Sequence, residues 1–106
     1  MIYYIDIDET ICTYEGERHY PNAKPIHKNI QKINELYNQE NIVVYWTARG
    51  TTTGIDWAEL TRNQLEQWGA KYTDIKFGKP NYDIFIDDKS INSRTWEKLD
   101  RCLPTL

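Results

Sequence analysis

Three short hydrophobic runs, each closing on polar chemistry, constrain this chain more than any other feature. Residues 2 to 7 (IYYIDI) are β-branched and aromatic, with carboxylates arriving only at the end. Residues 42 to 46 (IVVYW) run into Thr47, and residues 83 to 86 (DIFI) lead into Asp87-Asp88. Continuous runs of this kind suit strands buried on both faces, as in a parallel sheet. Stretches of helical period lie between them. Pro25 suits the first turn of a helix, and Ile26, Ile30, Ile33 and Leu36 follow at helical spacing. Lys28, Asn29, Lys32 and Glu35 form the opposite face, and Asn41 is a reasonable stop. A second helix is expected from about Asp56 to Trp68. Asp56 and Glu59 have capping-box spacing, Trp57, Leu60 or Thr61, Leu65 and Trp68 form its stripe, and Gly69 ends it.

A short strand near Asp74 to Phe77 and a hairpin within residues 9 to 20, turning at Tyr14-Glu15-Gly16-Glu17, fill the gaps. A last helix is expected from Ser90 to Asp100. The order β, hairpin, α, β, α, β, β, α predicts an α/β fold: a mostly parallel sheet of about four strands flanked by helices. The 106 residues make one domain, 1–106, with a single core. Trp46, Trp57, Trp68 and Trp96 are expected to pack in that core or between helices.

Composition narrows the partners. Hydrophobic residues at 40% and charged residues at 27% are a globular balance rather than a disordered one. A net charge of −3 argues against a nucleic-acid coat or a membrane-surface binder, both of which need a basic face. It leaves a phosphorylated substrate open, because a bound cation can reverse the local field. No apolar run approaches the roughly 20 residues that span a bilayer. The start lacks the basic lead of a targeting signal, and Cys12 and Cys102 stand far apart in no metal-like spacing. A reduced, cytoplasmic protein is therefore expected, with both thiols small and at least half-buried.

In open α/β sheets, ligands bind outside the carboxyl ends of the strands. This sequence puts its polar chemistry there. The first strand ends in Asp6-Ile7-Asp8-Glu9-Thr10, the second in Thr47 and the last in Asp87-Asp88, with Lys79 in the loop that leads to it. Strand side chains alternate, so Asp6 and Asp8 share a face if the extended conformation lasts that far. If the first and last strands are neighbours, about 4.8 Å apart, Asp87 and Asp88 join them. Like charges about 4 Å apart at an effective dielectric near 20 repel by roughly 4 kcal/mol, so the cluster needs a positive occupant. Oxygen-only ligands favour a hard metal, and magnesium tolerates one or two carboxylates with waters and a phosphate oxygen. One aspartate at a strand end is ordinarily a turn or cap residue. The ordered set is what points to chemistry.

That set, DIDET, then a hydrophobic strand ending in Thr47, then Lys79, then a hydrophobic strand ending in Asp87-Asp88, resembles the haloacid dehalogenase superfamily of phosphatases over nearly the whole chain. The resemblance implies a three-layer, Rossmann-like fold and Mg2+-dependent hydrolysis of a phosphomonoester through an aspartyl phosphate. By it, Asp6 attacks phosphorus, and Asp8 is general acid for the leaving oxygen, then base for water. Thr47 and Lys79 hold the phosphoryl oxygens, and Thr10 orients Asp8 or its loop. The metal is held by the Asp6 carboxylate, the Asp8 carbonyl and the Asp87-Asp88 pair, with Asp88 favoured as direct ligand and Asp87 as a water-mediated or orienting one. Asp6 must be ionised to attack, whereas Asp8 can keep a higher pKa and shuttle a proton. Arg49 is the candidate for gripping a second anionic or hydroxyl-rich group of the substrate. His19 and His27 are expected to face solvent, although His19 could overhang the site.

Members of that superfamily often carry a cap domain, inserted either in the hairpin or after the third strand. Neither the hairpin stretch nor GKPNY has room for one, which implies a capless member with an open cleft. Such a cleft suits a bulky substrate, or a neighbouring subunit as lid in a homo-oligomer. The stretches WTARG and GKPNYDIFIDDK resemble small phosphatases associated with bacterial capsule and surface-polysaccharide synthesis, making a sugar phosphate or related small metabolite the first expectation. A nucleotide or polynucleotide end comes second, without a basic stripe to favour it. A response-regulator receiver would place its acidic pair after the first strand, the reverse of the order here. A catalytically silent binding module would have lost one of these residues.

Overall fold

The computed structural model describes residues 1–99. The first two hydrophobic runs form β1 (Ile2–Ile5) and β4 (Ile42–Trp46), and the short third strand is β5 (Asp74–Lys76). They make one parallel sheet in the order β1-β4-β5, with Ile2 opposite Ile42 and Val44 opposite Asp74. The crossovers are α1 (His27–Asn38) and α2 (Ala58–Gln67). Because strand order advances in one direction, right-handed crossovers put both helices on one face. Ile30, Ile33 and Leu36 of α1 and Leu65 of α2 meet Val43 and Tyr45 there, with Tyr3, Ile5 and Ile75 packed alongside. Full burial of each such aliphatic side chain contributes roughly 1.5–3 kcal/mol.

The opposite face of the sheet is only partly covered among the described residues. Ile2, Tyr4 and Ile42 alternate with the core residues and are exposed, whereas Val44 on that face is buried and Trp46 half-buried. A fourth strand is also missing among the described residues. Ile84 and Ile86 are 78% and 93% exposed, residues 83–86 join no ladder, and β1 is left at the sheet edge. Strand propensity shows that a segment tolerates a pleated surface; it does not supply a partner. The chain entering this segment is tied elsewhere: Lys79 N–H donates to the Thr47 carbonyl (3.1 Å), and Thr51 Oγ1 donates to the Lys79 carbonyl (2.8 Å).

Smaller differences have local causes. β2 (Cys12–Thr13) pairs antiparallel with β3 (Lys24–Pro25), so Pro25 closes a longer hairpin and α1 begins two residues later. A 3-10 turn, Tyr20–Asn22, lies inside that hairpin. Asp56 Oδ1 accepts from the Ala58 N–H (2.9 Å) at the start of α2, and Gly69, with φ +73°, follows its end. The last helix is one turn, α3 (Ser93–Trp96), capped by Asn92. Asp100 and Cys102 lie outside the described residues. Trp96 is buried, Trp46, Trp57 and Trp68 are half-buried, and His19 and His27 are exposed. No helix among the described residues is long and apolar enough to cross a membrane.

Tyr45 is fully buried with its hydroxyl unpartnered. A buried donor left unsatisfied costs about 1–3 kcal/mol. Tyr45→Phe is therefore expected to raise stability by about 1 kcal/mol, read as a higher urea midpoint at unchanged m-value.

Candidate active site

Asp6 follows β1 directly, at the carboxyl end of the parallel sheet. Its Oδ1 accepts from the Ile7 N–H (2.9 Å), and its Oδ2 lies 3.5 Å from Lys79 Nζ. Extended backbone stops here. The N–H groups of Thr10 and Ile11 both donate to the Ile7 carbonyl (3.1 and 2.9 Å), and Glu9 turns the chain with φ +63°. Fully buried Ile7 and Ile11 anchor this turn in the core. The two aspartates consequently diverge instead of sharing a strand face. Asp6 opens onto a cleft, and Asp8 turns inward.

Asp8 is 8% exposed and meets Arg49, which is 3% exposed, side-on. Arg49 Nε donates to Asp8 Oδ2 (3.1 Å) and Nη2 to Oδ1 (2.9 Å). The Tyr14 hydroxyl donates to the same Oδ1, and Cys12 Sγ lies 3.5 Å from it. Arg49 Nη1 donates to Thr61 Oγ1 (3.1 Å) and Gln64 Oε1 (2.6 Å) on α2, and the guanidinium carbon stands 4.8 Å from the centre of the Tyr20 ring. Arg49, expected to reach the substrate, is thus turned into the fold.

The electrostatics reverse the expected division between the aspartates. Burial pushes the Asp6 carboxyl above its ordinary value, more than Lys79 and the Ile7 N–H pull it down. Burial also pushes Asp8 up, but the hydrogen bonds and charge of Arg49, with Tyr14 and Cys12, outweigh it and hold Asp8 below the usual range. The reason is the direction of Arg49, which sequence spacing does not encode.

Thr10 and Asp87 line a cleft of about 850 Å³ together with Asp6, Lys79 and the outer edge of β1. Lys79 Nζ also lies over the rings of Trp46 and Tyr82, at 5.6 and 5.4 Å. Thr47 is fully buried, its Oγ1 accepting from the Arg49 N–H (3.1 Å). Asp88 is exposed and is not among the residues lining the cleft. The four expected carboxylates are therefore not assembled: among the described residues, no group of three or more His, Cys, Asp and Glu is placed to hold a metal ion. Asp8 is drawn inward by Arg49, and residues 83–86, which lead into Asp87-Asp88, join no ladder. Asp6 and Asp87 on one cleft still fit a hard cation in donor type, and a desolvated carboxylate with one ammonium beside it gains from added positive charge.

The roles of Tyr14, Tyr20, Thr61 and Gln64 around Asp8 and Arg49 are not foreseen from the sequence, where Tyr14 reads as a turn residue and Thr61 as part of a helix stripe. The signal available was faint: Thr61 and Gln64 are three apart on the buried face of α2, where apolar residues are the rule. Gly50 was missed too. Its φ is +82°, and a Cβ built there would lie 2.2 Å from the Ile55 carbonyl oxygen.

No protein-family model matches the chain, and no curated protein does. Among solved structures, a target protein from Vibrio cholerae matches with a TM-score of 0.81 at 21% identity, covering 93% of this chain and 89% of that one. At that identity the likeness extends to the α/β fold.

Two outcomes follow. Burial pushes the Cys12 thiol up to about 12, and the thiolate is the reactive species. In a Cys102→Ser background, a thiol reagent at pH 8 is expected to label Cys12 only after denaturation; rapid labelling of folded protein would contradict this burial. Gly50→Ala is expected to cost about 2–3 kcal/mol, from left-handed backbone plus the clash. Gly54→Ala, at φ +74° with nothing near, should cost about 1 kcal/mol. Equal losses in denaturant titrations would remove the close approach as a constraint.

Proposed function

We propose that this chain is a capless phosphomonoester hydrolase of the haloacid dehalogenase type, with Asp6 as nucleophile. The observation that carries the reading is Asp6 paired with Lys79 at the carboxyl end of β1, on a cleft shared with Thr10 and Asp87. A carboxylate and an ammonium side by side are what in-line phosphoryl transfer asks of a protein, where positioning and electrostatics dominate. Asp6 and the Asp87-Asp88 pair would hold Mg2+, which would supply further neutralisation of the phosphoryl oxygens. For that, residues 83–86 must take the open edge of β1, at the usual spacing of about 4.8 Å.

In the first step, an Asp6 oxygen bonds phosphorus as the bond to the leaving oxygen breaks, and that oxygen keeps the electron pair. Lys79 offsets the charge on the phosphoryl group. In the second step, water bonds phosphorus, the Asp6–phosphorus bond breaks, and inorganic phosphate leaves. Asp8, held ionised by Arg49, is the acceptor for the proton that water gives up in this second step; turned inward and off the cleft lining, it would take that proton through an intervening water. A sugar alkoxide leaving in the first step must take up a proton, which water in the open cleft supplies, whereas p-nitrophenolate leaves without one. The first-choice physiological substrate is a small phosphorylated metabolite such as a sugar phosphate, which an open cleft admits without a lid; a lid supplied by a second copy of the chain would serve the same end.

Hydrolysis of p-nitrophenyl phosphate tests the reading directly. Turnover is expected with Mg2+ and lost with excess chelator. Asp6→Asn should lower kcat about a thousandfold or more while the melting temperature holds. Failure to release phosphate from p-nitrophenyl phosphate and a panel of sugar phosphates, nucleotides and phosphorylated acids would overturn the proposal.

A further inference from the structure

Arg49 has five N–H donors, and every one points to an acceptor within the fold. Nε and one Nη2 hydrogen take the two oxygens of Asp8, at 3.1 and 2.9 Å. The other Nη2 hydrogen faces the Tyr14 hydroxyl at 3.4 Å, and the two on Nη1 take Thr61 Oγ1 and Gln64 Oε1, at 3.1 and 2.6 Å. With the ring of Tyr20 against its face and 3% exposure, the guanidinium has no donor to offer a ligand. Gln64 is itself fixed, because its Nε2 donates to the Tyr20 carbonyl (2.7 Å). One side chain therefore joins four segments: the turn after β1, the β2–β3 hairpin, the loop after β4, and α2.

We infer that Arg49 is a positioning residue for the proposed reaction, acting through Asp8, with Tyr14 completing the grip from the hairpin. The inference rests on the phosphohydrolase reading above and deepens it. Two parallel N–H···O bonds fix both the place and the tilt of a carboxylate, which a lysine ammonium cannot do. Asp8 belongs to the turn whose first hydrogen-bonded residue is Ile7, next to Asp6. Holding Asp8 thus sets the orientation of the proton acceptor and stiffens the segment that presents the nucleophile. Displacements near 1 Å in such a site cost about a hundredfold in rate.

Steady-state kinetics on p-nitrophenyl phosphate separates positioning from substrate grip. Arg49→Lys and Arg49→Met are expected to lower kcat about a hundredfold with KM within about twofold of wild type, and the lysine should not rescue. Tyr14 is half-buried, so Tyr14→Phe is the variant that keeps the fold. It should lower kcat about tenfold, the loss of one hydrogen bond to a charged group, with a melting temperature lowered by about 5–10 °C and an unchanged KM. In an Asp8→Asn background, Arg49→Met should add less than about a threefold further loss, because residues acting as a unit are not additive. A raised KM with wild-type kcat, or a full further loss in the Asp8→Asn background, would overturn the inference while leaving the hydrolase reading intact. Wild-type values in Tyr14→Phe and Arg49→Lys would do the same. A wild-type protein that turns over no phosphate ester would overturn the hydrolase reading and this inference with it.

Discussion

The ion pair between Asp8 and Arg49 is the contact on which the arrangement of the site depends. Taking two charges out of water costs several kcal/mol per ion, and a buried pair recovers this only with good geometry and further hydrogen bonds. Both conditions are met: the guanidinium lies side-on to the carboxylate, and its remaining donors go to Tyr14, Thr61 and Gln64. Such a pair adds little net stability over an apolar replacement, yet removing one partner leaves a buried charge uncompensated at about 3–5 kcal/mol. Its effect is on specificity of placement. Four segments are brought to one register around it.

The same pair explains how two aspartates separated by one residue acquire opposite character. Ile7 points into the core, so its neighbours must leave on other sides of the chain. Asp6 is left with one ammonium and partial burial, and its affinity for a proton rises; Asp8 enters a cage of donors, and its affinity falls. Further positive charge on the cleft would favour ionised Asp6. Neighbouring charge, more than intrinsic chemistry, divides labour between like groups.

The sheet carries a second constraint at its edge. Among the described residues β1 has one ladder partner, β4, and Ile84 and Phe85, both exposed, line the cleft beside it. Open apolar edges are a liability in a soluble fold, usually covered by a strand, a helix or another chain. Docking of residues 83–86 on that edge would bury those side chains and carry Asp87-Asp88 toward Asp6. Completion of the sheet and assembly of a cation site would then be one event.

Local chemistry was legible without coordinates. Ile30, Ile33 and Leu36 recur at helical period, IVVYW has no residue that resists a pleated core, and Gly69 ends its helix because it alone enters left-handed backbone without a Cβ penalty. The candidates at strand ends were legible too, since strand ends are where an open α/β sheet presents polar groups, and Asp6 and Lys79 do meet. Tertiary structure alone decided the rest. Whether Asp8 stays on the strand face depends on where the turn begins, which buried Ile7 and Ile11 settle. Which way Arg49 points depends on Thr61 and Gln64, brought in by a helix more than ten residues away in sequence. Pro25 reads equally well as a helix start and as a strand end, and its pairing with Cys12 chooses between them. Period and propensity record what one segment can do by itself; ladder partners, buried ion pairs and the covered face of a sheet are properties of two segments together, and only folding brings those together.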